Sequence, residues 1–333
     1  MQDITTISSI ANLLAETLRD CDIDPARLFS QANIDLSAVK DPDTRVPTHR
    51  MLDLWNLSIA ATDNPCLGLL VARHFQPAVL HGLGFAWLAS DTLLNALNRL
   101  VHYSRIIVTT LEIGLEEHPD TTDVFFIAPH NFPNDVHAPI DLGMAMLLHM
   151  CQVTAGEPLL PVHTTFQRPA PPCRAEFDGL FGPSIEYDAP VNRMSFDSHL
   201  VNRPLGTAHP ELARINDQAV VDYLARYDRS CIAMQVCSKI IEQLPDGIPS
   251  QENIADTLHL GLRSLQRRLK EEETSFKYLL EDIRHSLAEQ YLRERHHSIG
   301  EITYLLGFSS PSSFTRAFKR WTGKTPVEYR QNT

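Results

Sequence analysis

The feature that most constrains this chain is a pattern that occurs twice after residue 230: a short helix, a tight turn, and a second helix with a cationic outward face. In the first copy, Ile232, Val236, Ile240 and Leu244 mark a leading helix that Pro245-Asp246-Gly247 stops. Ser250 then opens a short helix through Ile254, Ala255 and Leu258, because a serine hydroxyl accepts the N–H groups that a first helical turn leaves unpaired. After a turn at Gly261, a helix over 262–272 turns Leu265 and Leu269 inward and Arg263, Ser264, Gln266, Arg267 and Lys270 outward.

The unit then recurs. Phe276, Leu280, Ile283, Leu287 and Tyr291 stand three and four residues apart, which predicts one long helix over 275–295 with a continuous buried stripe. Ser298 opens a helix through Ile299, Ile302 and Leu306, Gly307 turns it, and Ser310 or Pro311 starts a last helix over 311–321. That helix buries Phe314, Phe318 and Trp321 and presents Ser312, Ser313, Thr315, Arg316, Lys319 and Arg320. One charged helix face usually means solvated surface and no more. Two such faces at matched positions, on a shared rigid spacer, fit the helix-turn-helix docking mode, in which Arg grips guanine and Gln grips adenine from the major groove. The candidate DNA contacts are Arg263, Ser264, Gln266, Arg267 and Lys270 in the first copy and Ser312, Ser313, Arg316 and Lys319 in the second. Arg268 and Arg320 lie toward the flanks, where phosphate contact or local ion pairing is expected.

Net charge argues against nucleic acid only until it is divided. The 333-residue chain carries −12, yet residues 248–333 hold thirteen Lys and Arg against eleven Asp and Glu, a balance of +2 that leaves −14 for the residues before them. An acidic module is joined to a mildly basic one, and phosphate attraction depends on where the cations sit. The length suits about two domains.

The earlier part alternates helical periodicity with strand-like runs, an α+β pattern. Leu52, Leu54, Trp55 and Ile59 predict one helix, and Leu69, Leu70 and Ala72 another after a turn at Asp63-Asn64-Pro65. Residues 92–107 predict a third, which Asp91 would cap. Strands are expected at 107–113, 124–128, 162–167, 184–187 and 193–196, with a strongly apolar helix over 139–155 and a short one near 175–181. Gly82-Leu83-Gly84 reads as a tight turn. A helical pattern resumes over 211–227, after Pro204 and Pro210. The domains expected are therefore 1–210, an α+β effector-sensing and dimerisation domain; 211–230, a linker region; and 231–333, an all-α DNA-binding domain with two helix-turn-helix units joined by a long helix.

No charged start with an apolar run marks a signal peptide, and no apolar stretch suits a bilayer, so a cytoplasmic protein is expected. The six cysteines at 21, 66, 151, 173, 231 and 237 show no metal-ligand spacing and read as small buried hydrophobes. His130 and His137 are too few for a metal site, and neither a metal nor a cofactor is expected. The aromatic stretch 75–87 suggests an effector pocket at His81, Phe85, Trp87, Tyr103 and Arg105, for a small, largely apolar organic molecule. Plain core is the competing reading of those aromatics.

The run Ile302-Thr303-Tyr304-Leu305-Leu306-Gly307-Phe308-Ser309-Ser310-Pro311, continuing through Phe314, Phe318-Lys319-Arg320-Trp321 and Gly323-Lys324-Thr325-Pro326, closely resembles the signature of the AraC/XylS family. Leu265-Gln266-Arg267-Arg268-Leu269 with Thr274-Ser275-Phe276 matches its first half. Thr303 stands where a small Ala is usual, and Glu273 where many members have Gly. The resemblance implies two recognition helices in successive major grooves of promoter DNA, with RNA polymerase as a partner. More loosely, His81-Gly82-Leu83-Gly84, Phe181-Gly182, Asn192, Phe196 and Pro204-Leu205 resemble the arabinose-binding-like domain of ornithine-utilisation and virulence regulators. That implies effector sensing or homodimerisation, and its label is no evidence for a sugar. The alternative is a DNA-repair methyltransferase or other sensor enzyme fused to the same DNA-binding unit, because Pro171-Pro172-Cys173-Arg174 resembles a Pro-Cys-His-Arg active site without its activating His.

Overall fold

A short antiparallel ribbon begins the fold: β1 (Thr5–Ile7) pairs with β2 (Arg45–Pro47), Thr6 opposite Val46. The structure is a computed structural model that describes residues 4–109, 111–127, 137–227, 232–244, 247–272, 274–294 and 297–331. The helices before the main sheet are α1 (Ser8–Asp20), α2 (Pro25–Gln31), α3 (Thr48–Thr62), α4 (Leu67–Ala72), α5 (Gly82–Leu88) and α6 (Leu93–Tyr103), of which α1 and α3 pack on the ribbon. Next come β3 (Glu112–Glu117), β4 (Thr121–Ile127), α7 (Ala138–Ala155), β5 (His163–Thr165), α8 (Arg174–Phe181), β6 (Ile185–Glu186), β7 (Asn192–Asp197), α9 (Ser198–Val201) and α10 (Pro210–Tyr227). The sheet runs β3-β4-β7-β5-β6 and is antiparallel except for β5 beside β6.

Four local expectations change. The strand expected at 107–113 starts only at Glu112, since Ser104–Ile106 forms a 3-10 turn and Val108 makes a lone bridge to Thr6. Thr92, not Asp91, caps α6, its side chain accepting from Asn95 N at 3.1 Å. Gly82 and Gly84 lie inside α5 rather than in a free turn: a Cβ on Gly84 would stand 1.9 Å from the Pro77 carbonyl oxygen, so close backbone approach explains that glycine. The cysteines are not all small buried hydrophobes, because Cys66, at the start of α4, and Cys173, before α8, are joined in a disulfide with Cα atoms 6.5 Å apart. Cys151 and Cys237 are free and buried and Cys21 is free and half-buried; Cys231 falls outside the described residues.

Helix α7 is apolar almost all round, as a helix buried on every side must be. Its one acid, Asp141, is fully buried and pairs with the buried Arg168. Burial pushes the Asp141 carboxyl up, to about 7, against the pull of Arg168. No helix among the described residues is long and apolar enough to cross a membrane.

Contacts divide the chain into two units, Met1–Val220 and Val221–Thr333. The region read as a linker is therefore largely helix α10, with the division inside it. The second unit is helical: α11 (Ile232–Gln243), α12 (Gln251–Thr257), α13 (Leu262–Glu271), α14 (Phe276–Glu294), α15 (Ile299–Leu305), α16 (Pro311–Thr322) and α17 (Pro326–Gln331). Leu279, Leu280 and Ile283 of α14 join Val236, Ile240, Ile254, Leu265 and Leu269 in one core. Ala288 and Leu292 join Ile302, Leu306, Phe314 and Phe318 in another, and Leu287 packs against both.

Candidate nucleic-acid interface

Helix α13 buries Leu265 and Leu269 and exposes Arg263, Gln266, Arg267, Arg268 and Lys270, with Ser264 half-buried. Helix α16 repeats the scheme: Phe314, Ala317 and Phe318 are buried, Ser312, Arg316, Lys319 and Arg320 exposed, and Ser313 half-buried. Burial of one stripe by α14 and its neighbours leaves the opposite stripe of each helix facing outward.

The partners of these side chains divide them. Arg263 and Arg316 make no hydrogen bond or ion pair with other described residues. Arg267 meets Glu271 at 3.9 Å across an exposed helical turn, a pairing worth little and easily exchanged for another partner. The amide of Gln266 reaches Gln251 at 3.3 Å. Arg320 pairs with Glu281 at 3.0 Å, the local ion pair expected of a flank position. The Ser313 hydroxyl donates to Ser310 O at 2.7 Å, so it serves the start of α16.

Two residues that fix these helices were not singled out from the sequence. Glu272, at the end of α13, accepts from Ile232 N and Ala233 N at 2.7 and 2.9 Å, so its carboxylate sits on the positive end of α11. Arg284 of α14 is buried, donates to the Leu306 and Gly307 carbonyls at 2.9 and 3.0 Å, and lies 4.3 Å over the Phe308 ring. It therefore clamps the turn before α16. A polar side chain beside the buried stripe of α14 was the available signal. Thr303 fits the space of the usual Ala because its hydroxyl bonds back to Ile299 O at 2.7 Å.

The first unit holds a cavity of about 130 Å³, lined in part by β1, α1, α3, α6 and α7. Of the five expected pocket residues, Trp87 lines it; His81, Phe85, Tyr103 and Arg105 are not among its described lining. Phe85 is 47% exposed, and His81 is half-buried near Arg45; burial and that positive charge lower its pKa. Among the described residues no cluster of His, Cys, Asp or Glu could hold a metal ion, and His130 lies outside them.

A helix-turn-helix domain model matches residues 254–332. The model described as the arabinose-binding domain of AraC transcription regulator, N-terminal, matches residues 23–205, more than half of the chain. The chain belongs to the AraC transcription regulators.

This AraC-family regulator is 28% identical to the ornithine utilization regulator of Pseudomonas aeruginosa, over 96% of this chain and 95% of the relative. It is 24% identical to the HTH-type transcriptional regulator VirS of Mycobacterium tuberculosis, over 95% and 93%. The crystal structure of transcriptional regulator CdpR from Pseudomonas aeruginosa aligns over 96% of this chain and 97% of its own, with 22% identity and a TM-score of 0.49. The AraC-family chain is accordingly a DNA-binding transcription regulator, built from an α+β N-terminal domain and a helical DNA-binding domain.

Proposed function

We propose that this regulator reads promoter DNA by laying α13 and α16 in two successive major grooves, and that a small organic effector in the N-terminal cavity controls it. The observation that carries the first half is the matched exposure of cations on two helices whose buried stripes share cores with one spacer, α14. Arg263, Gln266, Arg267 and Lys270 would serve one groove, and Ser312, Arg316 and Lys319 the next, with Arg and Gln on base edges and Lys on phosphates. Ser264 and Ser313 would set the start of each helix against the backbone. The acidic N-terminal unit would stay off the DNA, dimerise two chains and leave RNA polymerase to bind beside the DNA-binding unit, all in the cytoplasm. Catalysis plays no part in this reading. The segment Pro171-Pro172-Cys173-Arg174 lacks the His that would activate the thiol of a repair methyltransferase.

Footprinting on a selected operator tests the reading. Two protected major-groove segments about one helical turn apart are expected. Arg267→Ala should weaken binding by about 1–3 kcal/mol and relax choice at one base pair, and Arg316→Ala should do so at the other segment. A single protected groove, or equal losses on operator and random DNA, would reject paired base reading.

A further inference from the structure

We infer that the N-terminal cavity takes an uncharged, hydrocarbon-like molecule, the size of one aromatic ring or a short alkyl chain with at most one neutral polar group, and not a sugar. This rests on the effector reading above and narrows it. At about 130 Å³ the cavity is close to the apolar space of about 150 Å³ that stays dry and binds benzene. Met51, Trp55, Trp87, Leu100, Phe126 and Leu147 form much of its wall. Among the described lining residues the polar side-chain groups are the Thr6 and Thr48 hydroxyls and the Trp55 and Trp87 indole N–H groups, and none is titratable.

Those polar groups are largely occupied. The Thr6 and Thr48 hydroxyls lie 3.1 Å apart and bond to each other. The Trp87 indole N–H gives its hydrogen to Thr154 Oγ1 at 2.9 Å, and Thr154 donates in turn to Met150 O at 2.7 Å. Nearby charges are also spent: the Arg45 guanidinium donates to Thr5 Oγ1, Thr5 O and Ile106 O, and Asp141 pairs with Arg168. A pentose would bury several hydroxyls with few groups to receive them, and a carboxylate would bury its charge with no cation among the described lining residues; both are penalised by lost hydration. A hydrocarbon gives up no hydrogen bond on entry. Met51, Met146 and Met150 add unbranched side chains that re-pack around different apolar shapes.

The test titrates the full-length protein with toluene, benzoate and L-arabinose, following tryptophan emission and Tm. Trp55 and Trp87 line the cavity, and Trp321 lies in the other unit as an internal reference. Toluene should shift the emission and raise Tm, since a ligand that binds only the folded state stabilises it. Benzoate and arabinose at a hundredfold higher concentration should do neither. Leu147→Phe, which fills the space with apolar atoms, should weaken toluene binding tenfold or more while operator binding persists. Leu111→Phe, at another part of the wall, gives the same reading should the first variant not fold. Saturable binding of arabinose or benzoate that toluene displaces would overturn the ligand class and leave effector sensing standing. Toluene binding that leaves operator affinity unchanged would uphold the class and count against effector control. No response to toluene, or full toluene affinity in a folded cavity-filled variant, would overturn the proposal.

Discussion

The two helix-turn-helix units have the same layout and different means of support. The first core is aliphatic, built on Val236, Ile240, Leu265 and Leu269. The second is aromatic, with Phe314 to Phe318 at 5.8 Å and Phe318 to Tyr329 at 5.2 Å between ring centroids. Helix α13 starts at Gly261 without a side-chain cap, whereas α16 starts at Ser310 and Pro311 and ends on a left-handed Gly323. The turns differ at one equivalent position, two residues past the leading helix: His259 adopts φ 53° in the first unit and Gly307 φ 67° in the second. The first unit exposes more cations and the second has more local support. What the motif requires is the placement of one buried and one exposed stripe, and several packing chemistries deliver it.

Ways to break this comparison follow from the cores. Phe318→Ala should cost about 3–5 kcal/mol, because it opens an aromatic cluster, and Leu269→Ala in the first core should cost less, about 3 kcal/mol. Denaturant unfolding of both variants measures the difference, and a larger loss at Leu269 would reverse the ranking. Arg284→Met should cost on the order of 2–3 kcal/mol, since two charge-assisted hydrogen bonds to the Leu306 and Gly307 carbonyls disappear. An unchanged denaturation midpoint for that variant would show the clamp to be ornamental. The turns give a smaller contrast. Gly307→Ala should lose roughly 1–2 kcal/mol, as a left-handed residue gains a Cβ 3.1 Å from Ile248 Cγ1. His259→Gly should move stability by under about 1 kcal/mol in the favourable direction, since relief of the left-handed penalty is partly offset by a freer unfolded chain.

What could be read from the sequence tracks how local each feature is. Helices α13 and α16 were legible because caps, turn glycines and a period of 3.6 residues lie within a dozen positions of each other. The stripe of α14 is legible in period and broadly in phase: Leu280 and Ile283 are buried, and Phe276, Leu287 and Tyr291 pack partly buried against the two cores. Leu279, Ala288 and Leu292 are buried more deeply than Phe276, Leu287 and Tyr291, because the helix serves two cores in turn and its buried face rotates between them. The three-residue strands β1 and β2 are too short for alternation to show. The cavity was the least legible, since its wall combines residues from Thr6 to Met150 that no short window contains. Trp87 is legible because it is an aromatic beside glycines, whereas Leu100 and Leu147 look like any core residue. Cys66 and Cys173 stand 107 residues apart, so no spacing announced their pairing.

The smallest contrast concerns the caps of the two leading helices and it is sensitive to pH. Ser298 and Glu301 form a reciprocal box: Ser298 N donates to Glu301 Oε2 at 2.7 Å and Glu301 N donates to Ser298 Oγ at 3.2 Å. These bonds hold the Glu301 carboxyl below its usual range. At the equivalent place in the first unit, Ser250 accepts from Asn253 N at 3.0 Å, and the residue there has no carboxyl to titrate. Ser298→Ala and Ser250→Ala should each cost about 1 kcal/mol at neutral pH. A depressed folded-state pKa makes the Glu301 contribution fully present above its unfolded value of about 4.3 and lost as pH falls through the folded value. Unfolding of wild type and Glu301→Gln between pH 7 and pH 3 measures it: the advantage of the wild type should shrink on acidification, while the Asn253→Ala variant keeps a constant gap. An advantage at Glu301 that persists unchanged to pH 3 would show that its charge adds nothing to the cap.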